Sequence, residues 1–134
     1  MITAWIGLLM GCATLRDTAY GLEMTHREGV IFIGYSCWKP ADWTGDQSSK
    51  DAIRSKVQRA IDAELTKIGY PHMTIYVHNP ASYELSASKL EGLAYAGEMP
   101  MDELNVAANK IINDDPLGKH KPKPFYQVKG EFSD

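Results

Sequence analysis

The feature that most constrains this chain is the helical spacing of Ile53, Val57, Ala60, Ile61, Leu65 and Ile68. Apolar residues at these intervals form one stripe along an α-helix, and such a stripe has to be buried against another element. Ser48 with Asp51 resembles a capping box, Gly69 suits the position just past the helix end, and Pro71 blocks continuation. A helix is therefore expected over residues 49–68. On its N-terminal side, Val30-Ile31-Phe32-Ile33-Gly34-Tyr35 is apolar at consecutive positions, the pattern of a strand covered on both faces in the middle of a sheet. On its C-terminal side comes His72-Met73-Thr74-Ile75-Tyr76-Val77-His78. As a strand this segment sends Met73, Ile75 and Val77 to one face and His72, Thr74, Tyr76 and His78 to the other. The result is a strand-helix-strand unit over residues 29–78, with a right-handed crossover if its strands pair in parallel.

The remaining segments extend that unit. Residues 18–25 and 29–37 form a hairpin around Arg27-Glu28-Gly29, and residues 2–10, apolar almost throughout, read as a short buried strand. Ser82 can cap a helix running through Tyr83, Leu85, Leu90, Leu93 and Ala94 to Gly97. Pro100 opens another, with Leu104, Ala107, Ala108, Ile111 and Ile112 on its apolar face. The alternating prolines of residues 119–124 favour extended backbone, and residues 125–132 suit a last edge strand. The expected fold is α+β: a small mixed or mainly antiparallel sheet, one long amphipathic helix and two shorter ones. A single domain over residues 1–115 is followed by an extended C-terminal arm over 116–134.

Composition narrows the function classes. With 134 residues and 44% hydrophobic content, one core is expected, burying roughly two-thirds of the surface that the unfolded chain exposes. A net charge of −3 supplies no field for nonspecific nucleic-acid binding, although Lys119, His120, Lys121, Lys123 and Lys129 gather near the C-terminus. Two cysteines, Cys12 and Cys37, lack the spacing of a zinc or redox motif, and Cys37 in its apolar run reads as a packing thiol. Leu9-Met10-Gly11-Cys12 loosely mimics a lipid-attachment site, but no basic segment precedes it and its apolar stretch is short for a signal peptide. No apolar run is long enough for a membrane span. A reducing, cytoplasmic setting is expected.

The candidate ligand-binding residues are His72, Thr74, Tyr76, His78, Trp38 and Trp43. His72 and His78 would lie about 20 Å apart along a strand and cannot share a metal. His72-x-Thr74 sets an imidazole beside a hydroxyl, a pair able to hold a phosphate, and resembles one half of the signature of the two-histidine phosphoesterases. That resemblance implies His72 as general acid or base and Thr74 as phosphate ligand. The fold needs a second such strand, and His26, His78 and His120 do not repeat the motif. Trp38 and Trp43 flank a loop leading to the long helix, where aromatic rings can stack on a planar ligand near a helix N-terminus. No glycine-rich phosphate loop, His-Glu-x-x-His helix or calcium loop occurs, so neither a metal nor a cofactor is expected.

These residues favour a small non-catalytic binding protein that sequesters or docks onto a phosphate-containing ligand or a protein partner, with a homo-oligomer compatible. The alternatives are a phosphoesterase-like hydrolase using His72 and Thr74, and an assembly component using the C-terminal arm. A compact domain with a basic tail is also compatible with a phage or mobile-element protein.

Overall fold

The computed structural model describes residues 19–84, 89–117, 119 and 123–131. Two consecutive residues with left-handed backbone, Glu28 (φ 52°) and Gly29 (φ 83°), turn the chain between β1 (Ala19–Arg27) and β2 (Val30–Trp38). This turn matches the twist of antiparallel strands and closes a ladder from Tyr20↔Cys37 to Arg27↔Val30. There follow α1 (Gln47–Lys67), β3 (Thr74–Glu84), β4 (Lys89–Gly97), α2 (Met101–Asp114) and β5 (Tyr126–Glu131). The strands form one sheet of order β3-β4-β2-β1-β5, with every neighbouring pair antiparallel. β2 is central, as its two-sided apolar run requires. β2 and β3 run in the same direction but do not pair, because β4 inserts between them.

α1 begins two residues earlier than a Ser48 cap implies. Asp46 is the N-cap, its Oδ1 accepting a 2.9 Å bond from the Ser49 amide, and this bond leads the interactions that hold the carboxyl below its ordinary pKa. Gly69 (φ 92°) ends the helix as expected: the Tyr70 amide donates to the Leu65 carbonyl at 2.8 Å and the Gly69 amide to that of Thr66 at 3.3 Å. This paired closure satisfies carbonyls the helix leaves open.

Alternation along β2 assigns each side chain to a face. Ile31, Ile33, Tyr35 and Cys37 are buried on the first face, where Ile53, Val57, Ile61 and Leu65 of α1 cover them. Each of those four α1 side chains contributes roughly 1.5–3 kcal/mol by leaving water. Val30 and Phe32 point to the second face, where α2 brings Leu104, Ala108 and Ile111 against Val30 and Tyr95. Asp102 and Glu103 in the first turn of α2 complement its dipole. Among the described residues, α2 roofs one end of the second face, and Gly34, Ser36 and Glu91 beyond it are exposed or half-buried.

Two expectations need correction. Over 82–97 the described residues are strand rather than the expected helix, the end of β3 to Glu84 and all of β4 from Lys89, so the described residues hold two helices rather than three. Leu90, Ala94 and Ala96 alternate with Glu91, Leu93 and Tyr95, and pairing with β2 and β3 on either side outweighs the helix propensity of Leu and Ala. Gly92 marks the same outcome: the Tyr35 ring lies where a Cβ at residue 92 would stand. The strand expected from His72 begins at Thr74 and runs on to Glu84. The last edge strand is present as expected: β5 pairs with β1 from Ala19↔Glu131 to Met24↔Tyr126. The strand expected over residues 2–10, and Cys12, lie outside the described residues.

Candidate functional site

The residues singled out from the sequence fall into separate places. His72 sits in the turn before β3 with φ 66°, exposed, so its imidazole is out of the strand alternation that would set it beside Thr74. Thr74 opens β3 opposite Gly97 and is half-buried. Tyr76 and His78 do share the second face, where they meet Tyr95 of β4. The Tyr76 and Tyr95 rings stack with centroids 6.0 Å apart, and His78 lies 6.1 Å from Tyr76 and 6.0 Å from Tyr95. Phe32 meets Tyr95 edge-on at 5.5 Å. Burial raises the Tyr95 phenol pKa, with Tyr76 adding to the effect. These rings are packed on one another, with His78 exposed at their margin.

The two tryptophans lie elsewhere. Trp38 ends β2 opposite Lys89, whose Nζ stands 5.5 Å from the ring centroid. Trp43 packs on the first-face core and borders a small hollow with Ser49 and Lys56 at the start of α1. A single cleft joining Trp38, Trp43 and the His72–His78 segment is therefore not formed.

The second face holds a trough that the sequence reading missed. Its centre is Gly34, in the middle of the central strand, where no atom of the described residues outside its chain neighbours lies within 4 Å of the place a Cβ would occupy. One lobe, of about 650 Å³, has Gly21, Gly34, Ser36 and Leu93 as its floor and Glu23, Glu91, Gln127 and Lys129 around it. The other, of about 420 Å³, runs beneath the C-terminal end of α2, between Phe32 and Leu93 on the sheet and Ile111, Ile112 and Leu117 above. Glu23, Gly34 and Leu93 border both lobes. A glycine inside a strand weakens it and recurs where a ligand or another backbone comes close; this was the signal available in the sequence.

Polar groups are concentrated at the rim. Arg27 Nη1 stands 3.6 Å from Asp115 Oδ2, and the Asp115 side chain is 8% exposed. Asp115 Oδ1 also accepts a 3.0 Å bond from the Lys119 amide, which ties the chain after α2 to this corner. Gln127 Nε2 donates to Glu23 Oε2 at 3.3 Å. The arrangement offers an apolar slot with hydrogen-bonding groups of Thr25, Arg27 and Asp115 at its mouth. The groups with shifted pKa values, Cys37, Asp46, Tyr95 and Tyr126, do not line the trough. Cys37 is buried on the first face, and desolvation pushes its thiol up to about 12, which leaves it a packing residue. Among the described residues, no group of three or more His, Cys, Asp or Glu side chains is placed to hold a metal ion. Nor is any described helix long and apolar enough to cross a membrane. No family model, curated protein or solved structure matches this chain.

Proposed function

We propose that this is a small non-catalytic binding protein that takes its ligand in the trough on the second face of the sheet. Gly34 carries the reading. A side chain there would raise strand propensity, yet among the described residues the position is bare and borders both open lobes. The lobe beneath α2 lies within the range of about 300–1,000 Å³ common to ligand pockets, and its walls combine apolar side chains with a few convergent polar groups. These walls suit a ligand with an apolar or aromatic body in the slot and one polar group at the Thr25, Arg27 and Asp115 mouth. Arg27 is already matched by Asp115, and Glu23 adds a carboxylate, so charge at the mouth does not favour a phosphate. The hydrolase alternative loses support with His72 outside β3, since it needs that imidazole beside Thr74.

The test is a thermal-shift screen of compounds with apolar bodies and single polar groups, run on the wild type and on Gly34→Leu. A ligand at about 100 times its Kd stabilises by about 2.7 kcal/mol, a shift of several degrees. The expected result is a set of hits whose shifts vanish in Gly34→Leu, while that variant melts cooperatively by itself. Hits that shift both proteins equally, or no hits, would remove the proposal.

A further inference from the structure

The two edges of the sheet differ in a way that bears on self-association. β3 forms one edge, and its pairing with β4 slips between His78 and Tyr83, an irregularity of the kind that blunts an edge strand; Pro80 lies in the same strand. β5 forms the other edge. Its pairing with β1 runs in register through all of Tyr126–Glu131, with no proline within the strand. Among the described residues its outer side has no strand beside it, and it presents backbone N–H and C=O groups in the spacing of a strand that could take a partner. Beside it, Tyr126 and Val128 are only partly buried against the first-face core, and Phe125 is 43% exposed, edge-on to Tyr70 with centroids 6.5 Å apart.

We infer that β5 pairs antiparallel with β5 of a second copy of this chain, around a two-fold axis through Val128. The side chains select this occupant and register. A two-fold axis perpendicular to the sheet keeps the first face of one copy continuous with the first face of the other, so paired residues share parity. Centring on Val128 sets Val128 against Val128, Gln127 against Lys129 and Tyr126 against Gly130 of the other copy. An apolar pair, two amide-to-ammonium pairs and two aromatic-over-glycine pairs result, with no like charges opposed. Centring on Lys129 would instead put two ammonium groups face to face. The two troughs then lie on one continuous surface of two five-stranded sheets.

Sedimentation equilibrium of the full chain, with a thermal melt of each variant, tests this. The wild type is expected to show a concentration-dependent monomer–dimer equilibrium. Gln127→Lys places ammonium groups opposite each other at two symmetric positions and is expected to raise the dimer Kd about tenfold. Within the chain, the new lysine faces Glu23 on β1 and the fold is kept. Adding Lys129→Glu to Gln127→Lys restores opposite charges across the axis and is expected to restore the wild-type Kd. A wild type that is monomeric throughout would overturn the inference, as would a dimer indifferent to both variants.

Discussion

At residue scale, backbone conformation and lost partners decide the outcome of most substitutions. Glu28 holds φ 52°, a region that costs a residue with a Cβ roughly 1–2 kcal/mol, while Gly29 at φ 83° meets no such penalty. Glu28→Asn, which creates the Asn-Gly pair favoured in this turn, is expected to raise stability in urea, and Gly29→Ala to lower it by about 1–2 kcal/mol. Glu64 poses a different problem, because this charged residue is only 4% exposed. It accepts a 2.5 Å bond from the Tyr126 hydroxyl, and Lys67 Nζ stands 3.3 Å from its other oxygen. The hydrogen bond to Glu64 is the main cause that raises the Tyr126 pKa above its ordinary 10.0. A folded-state pKa above the unfolded one means stability is fully present below about pH 10 and is lost as pH rises through the folded value. Melting temperature should fall above pH 10, and Tyr126→Phe should flatten part of that fall while costing about 1–3 kcal/mol at neutral pH. Equal alkaline slopes for the two proteins would contradict this assignment.

At the scale of elements, legibility in the sequence followed how far each element's pattern depended on distant partners. α1 was readable because its apolar stripe and its Gly69 stop are local, although the cap was placed on Ser48 when Asp46 fills it. The β1–β2 hairpin and β5 were readable from turn chemistry and β-capable runs. β4 was not, since Leu and Ala favour a helix in isolation and only pairing with β2 and β3 makes their alternation decisive. The candidate site was legible only in part. Tyr76 and His78 do come together on one face, but nothing local shows that Tyr95 fills the space between them and Phe32. His72 left the strand because it takes a left-handed backbone at φ 66°. Two glycine substitutions separate structural glycines from the open one. Gly92→Ala forces a Cβ into the Tyr35 ring and should cost about 1–3 kcal/mol, whereas Gly34→Ala enters empty space and should stabilise by about 0.4–1 kcal/mol in chemical denaturation.

For the whole molecule, the division of labour is between faces. The first face is closed by α1 and holds the larger core; among the described residues, the second is roofed at one end by α2 and bare around Gly34. Stability therefore resides chiefly on one side of the sheet, which leaves the other free to carry a trough bordered by strands that α1 anchors from behind. A ligand bound there should perturb the second face and leave α1 undisturbed. Two-dimensional amide NMR of the labelled protein, titrated with compounds that raise its melting temperature, measures this most directly. Shifts are expected at Glu23, Gly34, Leu93 and Leu117, with little change at Val57 and Ile61. Shifts confined to the Trp43 hollow or to α1, with Gly34 and Leu93 unmoved, would contradict it.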